Sequence, residues 1–211
     1  MPAQFKDRAD AGRRLASALQ RHKGARDTLV IGLPRGGVPV ASEIARELGL
    51  PLDIVVVRKL GVPGNEEYAM GAIASGGVRV LNTHAIASLG IGQETVDAIG
   101  FRERREQAFR RGRPGIEVRG KTVLLVDDGV ATGSTLRAAI QSLRHRGVRR
   151  IVVAVPTISQ ETLSKMRRDA DEWVALMAPG RFFSVGEWYA SFPQVEDEEV
   201  VKLLGGEAVR G

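Results

Sequence analysis

At 211 residues, with 43% hydrophobic and 27% charged residues, the chain has the composition of an ordinary globular protein and the length for one domain with additions. It contains no cysteine, which excludes disulfides, thiolate metal sites and a cysteine nucleophile. The charged opening Met1–Lys23 has no signal-peptide pattern and no apolar run reaches membrane-spanning length, so the expected setting is cytoplasmic, with no membrane partner.

In chain order, Phe5–Lys23 spaces Phe5, Ala9, Leu15, Ala18 and Leu19 among charges and predicts an amphipathic helix stopped by Gly24. Thr28–Leu33 is a short β-rich run broken by Pro34-Arg35-Gly36-Gly37. Val38–Leu48 predicts a helix ended by Gly49 and Pro51, and Leu52–Val57 a second buried strand. Such a strand–helix–strand unit is parallel, with a right-handed crossover. Its Leu33–Val38 loop sets two glycines behind an arginine, so backbone N–H groups can close around an anion while Arg35 adds charge. Arg58 and Lys59 follow the second strand at the carboxyl edge, where open α/β sheets bind ligands. Pro63-Gly64-Asn65 signals a turn, and Gly71–Ser75 with Val78–Asn82, joined by Gly76-Gly77, predicts a hairpin. Glu94–Arg111 predicts a strongly charged helix whose apolar side is thin.

Thr122–Thr135 concentrates the chemistry. Four apolar residues, Val123–Val126, predict a central strand covered on both faces. Asp127 and Asp128 follow at once, then a turn rich in glycine and hydroxyls, then a helix through Leu136–Leu143. The turn offers N–H groups, hydroxyls and a helix dipole to a phosphate. The carboxylates beside it would repel a second phosphate but suit sugar hydroxyls or a metal shell, so a sugar phosphate meets both demands. Ile151–Val155 and Asp171–Met177 predict two further strands, with a helix over Ser159–Arg168 capped by Ser159 between them. These runs predict an α/β fold in one domain, 1–211: a mainly parallel sheet of about five strands flanked by helices. A helical and hairpin insertion falls at about 71–118, and a small C-terminal appendage at about 178–211. The appendage gathers Phe182, Phe183, Trp188, Tyr189 and Phe192, rings that can stack on a flat acceptor or seal a satellite core under the helix Glu196–Leu204. Packing is the favoured reading. His22, His84 and His145 are scattered and suggest no metal centre. A net charge of +6 invites a nucleic-acid partner, but aromatics are 5% and do not interleave with the basic residues, so solvated helix faces and anion capture are preferred.

Val123–Thr135 resembles the phosphoribosyl pyrophosphate (PRPP) signature of the type I phosphoribosyltransferases: apolar run, acidic pair, two residues, then Ala-Thr-Gly-Ser-Thr. It is not a Walker loop, whose Gly-x-x-x-x-Gly-Lys pattern is absent. The resemblance implies transfer of ribose 5-phosphate from PRPP to a nucleobase-like nitrogen acceptor, with release of pyrophosphate. It puts Asp127 and Asp128 on the ribose hydroxyls, and Ala131, Thr132, Gly133, Ser134 and Thr135 on the 5′-phosphate. Arg35, Gly36 and Gly37, in a loop that often contains a cis peptide, would take the pyrophosphate with Arg58 and Lys59. Asp127, Asp128, Arg35 and Lys59 form the implied catalytic set; Phe183, Trp188 and Tyr189 are the weaker acceptor candidates. Mg²⁺ is implied as cofactor, held mainly by the substrate, with Asp127 and Asp128 as the protein carboxylates beside it. The segment 84–115 takes the place of a closing flap, and a homodimer is the implied assembly. Arg58-Lys59-Leu60-Gly61-Val62-Pro63-Gly64-Asn65 further resembles a bacterial branch found alone or fused to hydrolase-like domains. Against transfer stand a PRPP- or nucleotide-sensing regulator binding RNA or protein, and a module serving a hydrolase. The lysine and aromatic with which purine enzymes read the base edge are not recognisable; Lys165 falls within a helix.

Overall fold

Continuous aliphatic runs become strands buried on both faces, and runs with a polar side become the helices that cover them. The computed structural model describes residues 4–62, 65–74, 78–81 and 108–205, with the backbone alone over 58–81. The described elements are α1 (Arg8–Ala18), β1 (Thr28–Gly32), α2 (Gly37–Leu48), β2 (Leu52–Ile54), β3 (Val57–Val62), β4 (Asn65–Ala74) and β5 (Val78–Leu81). They continue with β6 (Thr122–Val126), α3 (Ser134–His145), β7 (Arg150–Thr157), α4 (Gln160–Met166), β8 (Glu172–Met177) and α5 (Asp197–Leu204). Among them no helix is long and apolar enough to cross a membrane.

Five strands form one sheet in the order β2-β1-β6-β7-β8, and every neighbouring pair is parallel. This is the sheet the aliphatic runs predict. Alternate residues of β6 enter opposite cores. Val123 and Leu125 pack with Leu136, Ile140 and Leu143 of α3, while Leu124 and Val126 pack with Leu15, Val40 and Ile44 of α1 and α2. Each fully buried aliphatic side chain contributes about 1.5–3 kcal/mol relative to an exposed one, so all five β6 residues stay inside and the strand ends where the carboxylates begin. Gly49, at φ +63, closes α2 in the left-handed conformation that glycine adopts freely.

The run Leu52–Val57 divides. Leu52–Ile54 pairs with β1, whereas Val57 opens β3, which joins a separate antiparallel sheet in the order β3-β4-β5. Arg58 and Lys59 therefore stand inside a strand of this second sheet, opposite Ile73 and Ala72, rather than directly past the end of a parallel strand. The predicted hairpin forms as β4 and β5 with Ala74 opposite Val78, though β4 starts earlier, at Asn65. The hairpin's Gly76-Gly77 joint and most of the predicted helix Glu94–Arg111 lie outside the described residues. The C-terminal aromatics make a small core: Trp188 and Tyr189 close over Phe5 and Ala11, with Phe182, Val185 and Phe192 at its margin. Backbone bonds from Phe5 N to Trp188 O (3.0 Å) and from Ala190 N to Phe5 O (2.8 Å) join the segment before α1 to the C-terminal aromatic segment.

Candidate active site

Parallel register decides where the site lies. Gly32 of β1 is level with Val126 of β6, so the loop after one strand and the acidic pair after the other emerge side by side. Leu33 N extends the ladder to Val126 O (2.9 Å), the Pro34–Arg35 peptide is cis, and Gly37 N returns to Leu33 O (3.0 Å) to start α2. The fit between the segments leaves no room for side chains at the two glycines. A Cβ on Gly36 would lie 1.9 Å from Asp128 Oδ2, and one on Gly37 would lie 2.7 Å from Val126 O. Two motifs separated by ninety residues of chain are thus in direct contact.

Asp127 Oδ1 accepts from Asp128 N (2.9 Å). Burial, and then the neighbouring Asp128 charge, push the Asp127 carboxyl well above the usual carboxylate range. Burial also raises Asp128, but the Arg8 guanidinium opposes it, donating from Nε to Asp128 Oδ2 at 2.9 Å. Arg8 also donates from Nη1 to Pro193 O (2.7 Å) and lies 3.7 Å over the Phe192 ring. Tyr189 Oη donates to the carbonyl of Asp128 (2.5 Å), and burial pushes its phenol pKa well up.

The turn that follows is braced from β7 and α4. Val130 N donates to Thr157 O (2.9 Å) and Ser159 N to Val130 O (3.1 Å). Ala131 O accepts from Thr162 Oγ1 (2.5 Å) and Ser159 Oγ (3.3 Å). Gly133 turns at φ +75, where a Cβ would meet Met166 Sδ at 2.2 Å. Ala131 and Thr132 are exposed, Ser134 and Thr135 half-buried, and Thr132 Oγ1 stands 3.3 Å from Ser134 Oγ. Among the described residues no side chain caps α3, so its first-turn N–H groups and three hydroxyls meet at one helix N-terminus, a natural anion cradle.

The remaining candidates separate. Arg35 is part-exposed, with Nη1 3.5 Å from Glu196 Oε2 and 3.6 Å from Asp197 Oδ1, at the start of α5. The side chains of Arg58 and Lys59, and most of the 84–115 flap segment, fall outside the described residues. Trp188 and Tyr189 are buried in the satellite core, while Phe183 is 86% exposed on a turn whose N–H groups at Phe183 and Ser184 donate to Glu187 Oε1. Among the described residues no group of three or more His, Cys, Asp or Glu side chains is placed to hold a metal ion. The carboxylate donors beside the turn are Asp127 and Asp128, a set suited to an ion that arrives on its substrate. Sequence reasoning missed Arg8, which reads as one more helix charge. Its signal was position: Arg8, Ala11, Gly12 and Leu15 share the buried stripe of α1.

The sequence profile of the phosphoribosyl transferase domain matches residues 3–178. The Mycobacterium tuberculosis protein Rv0571c, provisionally named a phosphoribosyl transferase, is 45% identical over 205 residues; the match takes in 95% of this chain and 46% of that protein, so the chain spans about half its length. The crystal structure of TT1426 from Thermus thermophilus superposes with a TM-score of 0.82 at 43% identity, covering 95% of this chain and 97% of that one. A purine phosphoribosyltransferase from Pyrococcus horikoshii shares the fold, with a TM-score of 0.51 at 20% identity over 90% of this chain and 93% of its own. With the profile running from the helix that carries Arg8 to the last strand of the parallel sheet, the chain belongs to the phosphoribosyltransferase family, in its type I fold.

Proposed function

We propose that the chain moves the ribose 5-phosphate of PRPP to a nitrogen acceptor of nucleobase type and releases pyrophosphate. The observation that carries this reading is the contact between the Arg35-Gly36-Gly37 loop and the acidic pair, close enough that a Cβ on Gly36 would sit 1.9 Å from Asp128. One anion loop beside a carboxylate pair would serve any nucleotide. A second one against the same pair suits a ligand with phosphate at both ends of a ribose.

In this reading Ala131, Thr132, Gly133, Ser134 and Thr135 hold the 5′-phosphate with the N-terminus of α3. Asp127 and Asp128 accept from the ribose hydroxyls. Arg35 and the N–H groups of its loop take the pyrophosphate, joined by Arg58 and Lys59 from β3. As the anomeric C–O bond breaks, its electron pair leaves with pyrophosphate and positive charge builds on the ring, as in glycoside hydrolysis. The acceptor nitrogen then forms the new bond and gives up its proton. Fixed charges and dipoles at both ends of the ribose stabilise this separation without reorganising. Burial and the neighbouring Asp128 charge oppose ionisation of Asp127. Mg²⁺ bound with the substrate, beside Asp127 and Asp128, would neutralise the leaving pyrophosphate.

The test is pyrophosphate release from PRPP with Mg²⁺ and a panel of nitrogen bases. At least one base is expected to drive turnover, and the double substitution Asp127→Asn with Asp128→Asn to abolish PRPP binding while the far-ultraviolet spectrum stays unchanged. Unaltered PRPP affinity in that variant, or silence with every acceptor, would sink the reading.

A further inference from the structure

An arginine on the core-facing stripe of a helix needs a reason, because desolvating a guanidinium costs several kcal/mol unless its partners are well placed. The three arginines of α1 make the contrast. Arg13 and Arg14 keep about half their side-chain surface in water and pair with Glu43 and Asp10. Arg8 is 9% exposed, and its partners belong to two separate parts of the chain, Asp128 after β6 and the adjacent Phe192 and Pro193. Nε binds Asp128 Oδ2 at 2.9 Å, Nη1 binds Pro193 O at 2.7 Å, and the plane stacks 3.7 Å over Phe192. The fixed fork of a guanidinium meets two such acceptors at once; the single point of an ammonium does not.

We infer that Arg8 is a positioning residue of the transfer site, holding the Asp128 carboxylate through Oδ2 and coupling it to the C-terminal segment at Phe192 and Pro193. The inference rests on the proposed role of the acidic pair in binding PRPP. Asp128 is gripped twice from outside its own strand: its carboxylate by Arg8, and its carbonyl by Tyr189 Oη at 2.5 Å. The oxygen that Arg8 holds is also the one against which Gly36 packs. A swing of Asp128 would therefore disturb the ribose half and the pyrophosphate half together. Arg8 fixes both by fixing one oxygen. Tyr189 and Phe192 stack at 4.9 Å between centroids, so the two grips share one aromatic support.

The experiment measures PRPP affinity by calorimetry, with Mg²⁺ present, in the full chain and in four variants: Arg8→Gln, Phe192→Leu, the two combined, and Leu15→Val. Arg8→Gln is expected to weaken binding on the order of ten-fold, the usual effect of losing a group that orients a ligand-holding side chain. Phe192→Leu, which removes the stacking face, is expected to weaken it several-fold on its own and to add nothing in the Arg8→Gln background, the mark of a shared path. Leu15→Val loosens the same helix without touching the acidic pair and is expected to leave affinity unchanged. Folded Arg8→Gln protein that binds PRPP like wild type overturns the inference and leaves the proposed function standing. Equal loss in Leu15→Val also overturns it, by reducing Arg8 to a packing residue. If Arg8→Gln does not fold, unaltered affinity in Phe192→Leu decides against the coupling. Wild-type protein that fails to bind PRPP removes the reading on which the inference rests.

Discussion

Burial and the Asp128 charge both oppose ionisation of Asp127, and the hydrogen bond from Asp128 N offsets them only in part. Its folded-state pKa lies above the reference value of 3.8, so the unfolded chain loses the proton first. As pH rises above that value the unfolded state gains relative to the folded one, and the loss is complete above the folded pKa. Asn at this position keeps the Oδ1 acceptor for Asp128 N and discards the charge. Asp127→Asn is therefore expected to melt at a higher temperature than wild type, by a margin that widens as pH rises above the reference value of 3.8, while losing PRPP. A margin that is constant across the series would show that burial is not the cause. At Gly36 the argument is steric. A methyl group 1.9 Å from Asp128 Oδ2 forces the loop or the carboxylate to move. Gly36→Ala is expected to cost about 1–3 kcal/mol in urea unfolding, the usual penalty of overpacking, and to weaken PRPP binding. An unchanged urea midpoint would mean that the contact yields freely.

At the scale of elements, α4 serves as the floor of the phosphate turn. Ser159 Oγ accepts from Thr162 N (3.1 Å) and caps the helix, both hydroxyls reach Ala131 O, and Met166 lies under Gly133. Thr162→Val keeps the shape and removes the 2.5 Å donor. It is expected to cost about 1 kcal/mol of stability, the net value of one hydrogen bond, and to lower the affinity for ribose 5-phosphate; calorimetry that finds equal affinity would free the turn from α4. Much of this was legible in the chain. Val123–Thr135 displays strand, carboxylates, turn and helix start within one stretch, because local spacing alone brings them together, and Ser159 displays its own cap. Less legible was the division of Leu52–Val57, since a continuous Ile and Val run suits a buried strand in either sheet and carries no mark where hydrogen bonding changes partner. Arg58 and Lys59 consequently read as the residues just past a strand of the parallel sheet. Arg8 was hidden for a different reason. Its partners stand 120 and 185 positions away in sequence, so its place on the buried stripe of α1 marks it as desolvated but does not say which groups receive it.

Over the whole molecule, the parallel sheet has to stay joined to the long stretch of chain between β2 and β6, and one carboxylate ties the 108–116 end of that stretch to β2. Asp53, 5% exposed in β2, accepts from Arg110 Nε (2.8 Å) and Ile54 N (2.8 Å) through Oδ1, and from Ile116 N (2.8 Å) through Oδ2. Arg110 Nη2 also donates to Ile54 O (2.9 Å), so the segment that leads into β6 is tied to the sheet edge at two residues. Loops are ordinarily held by scattered weak contacts. Here the tie is a charge-assisted cluster shielded from water, and truncating one member strips several donors of their acceptor together. Asp53→Ala is expected to destabilise the fold by about 3–5 kcal/mol, the range for breaking a buried ion pair. Urea unfolding gives the check, provided the slope is unchanged so that the midpoint reports stability. A loss below about 1 kcal/mol would place this pair with exposed surface bridges and move the attachment of the 108–116 segment to the apolar contacts of Phe109, which packs with Ile54, Val56 and Val200.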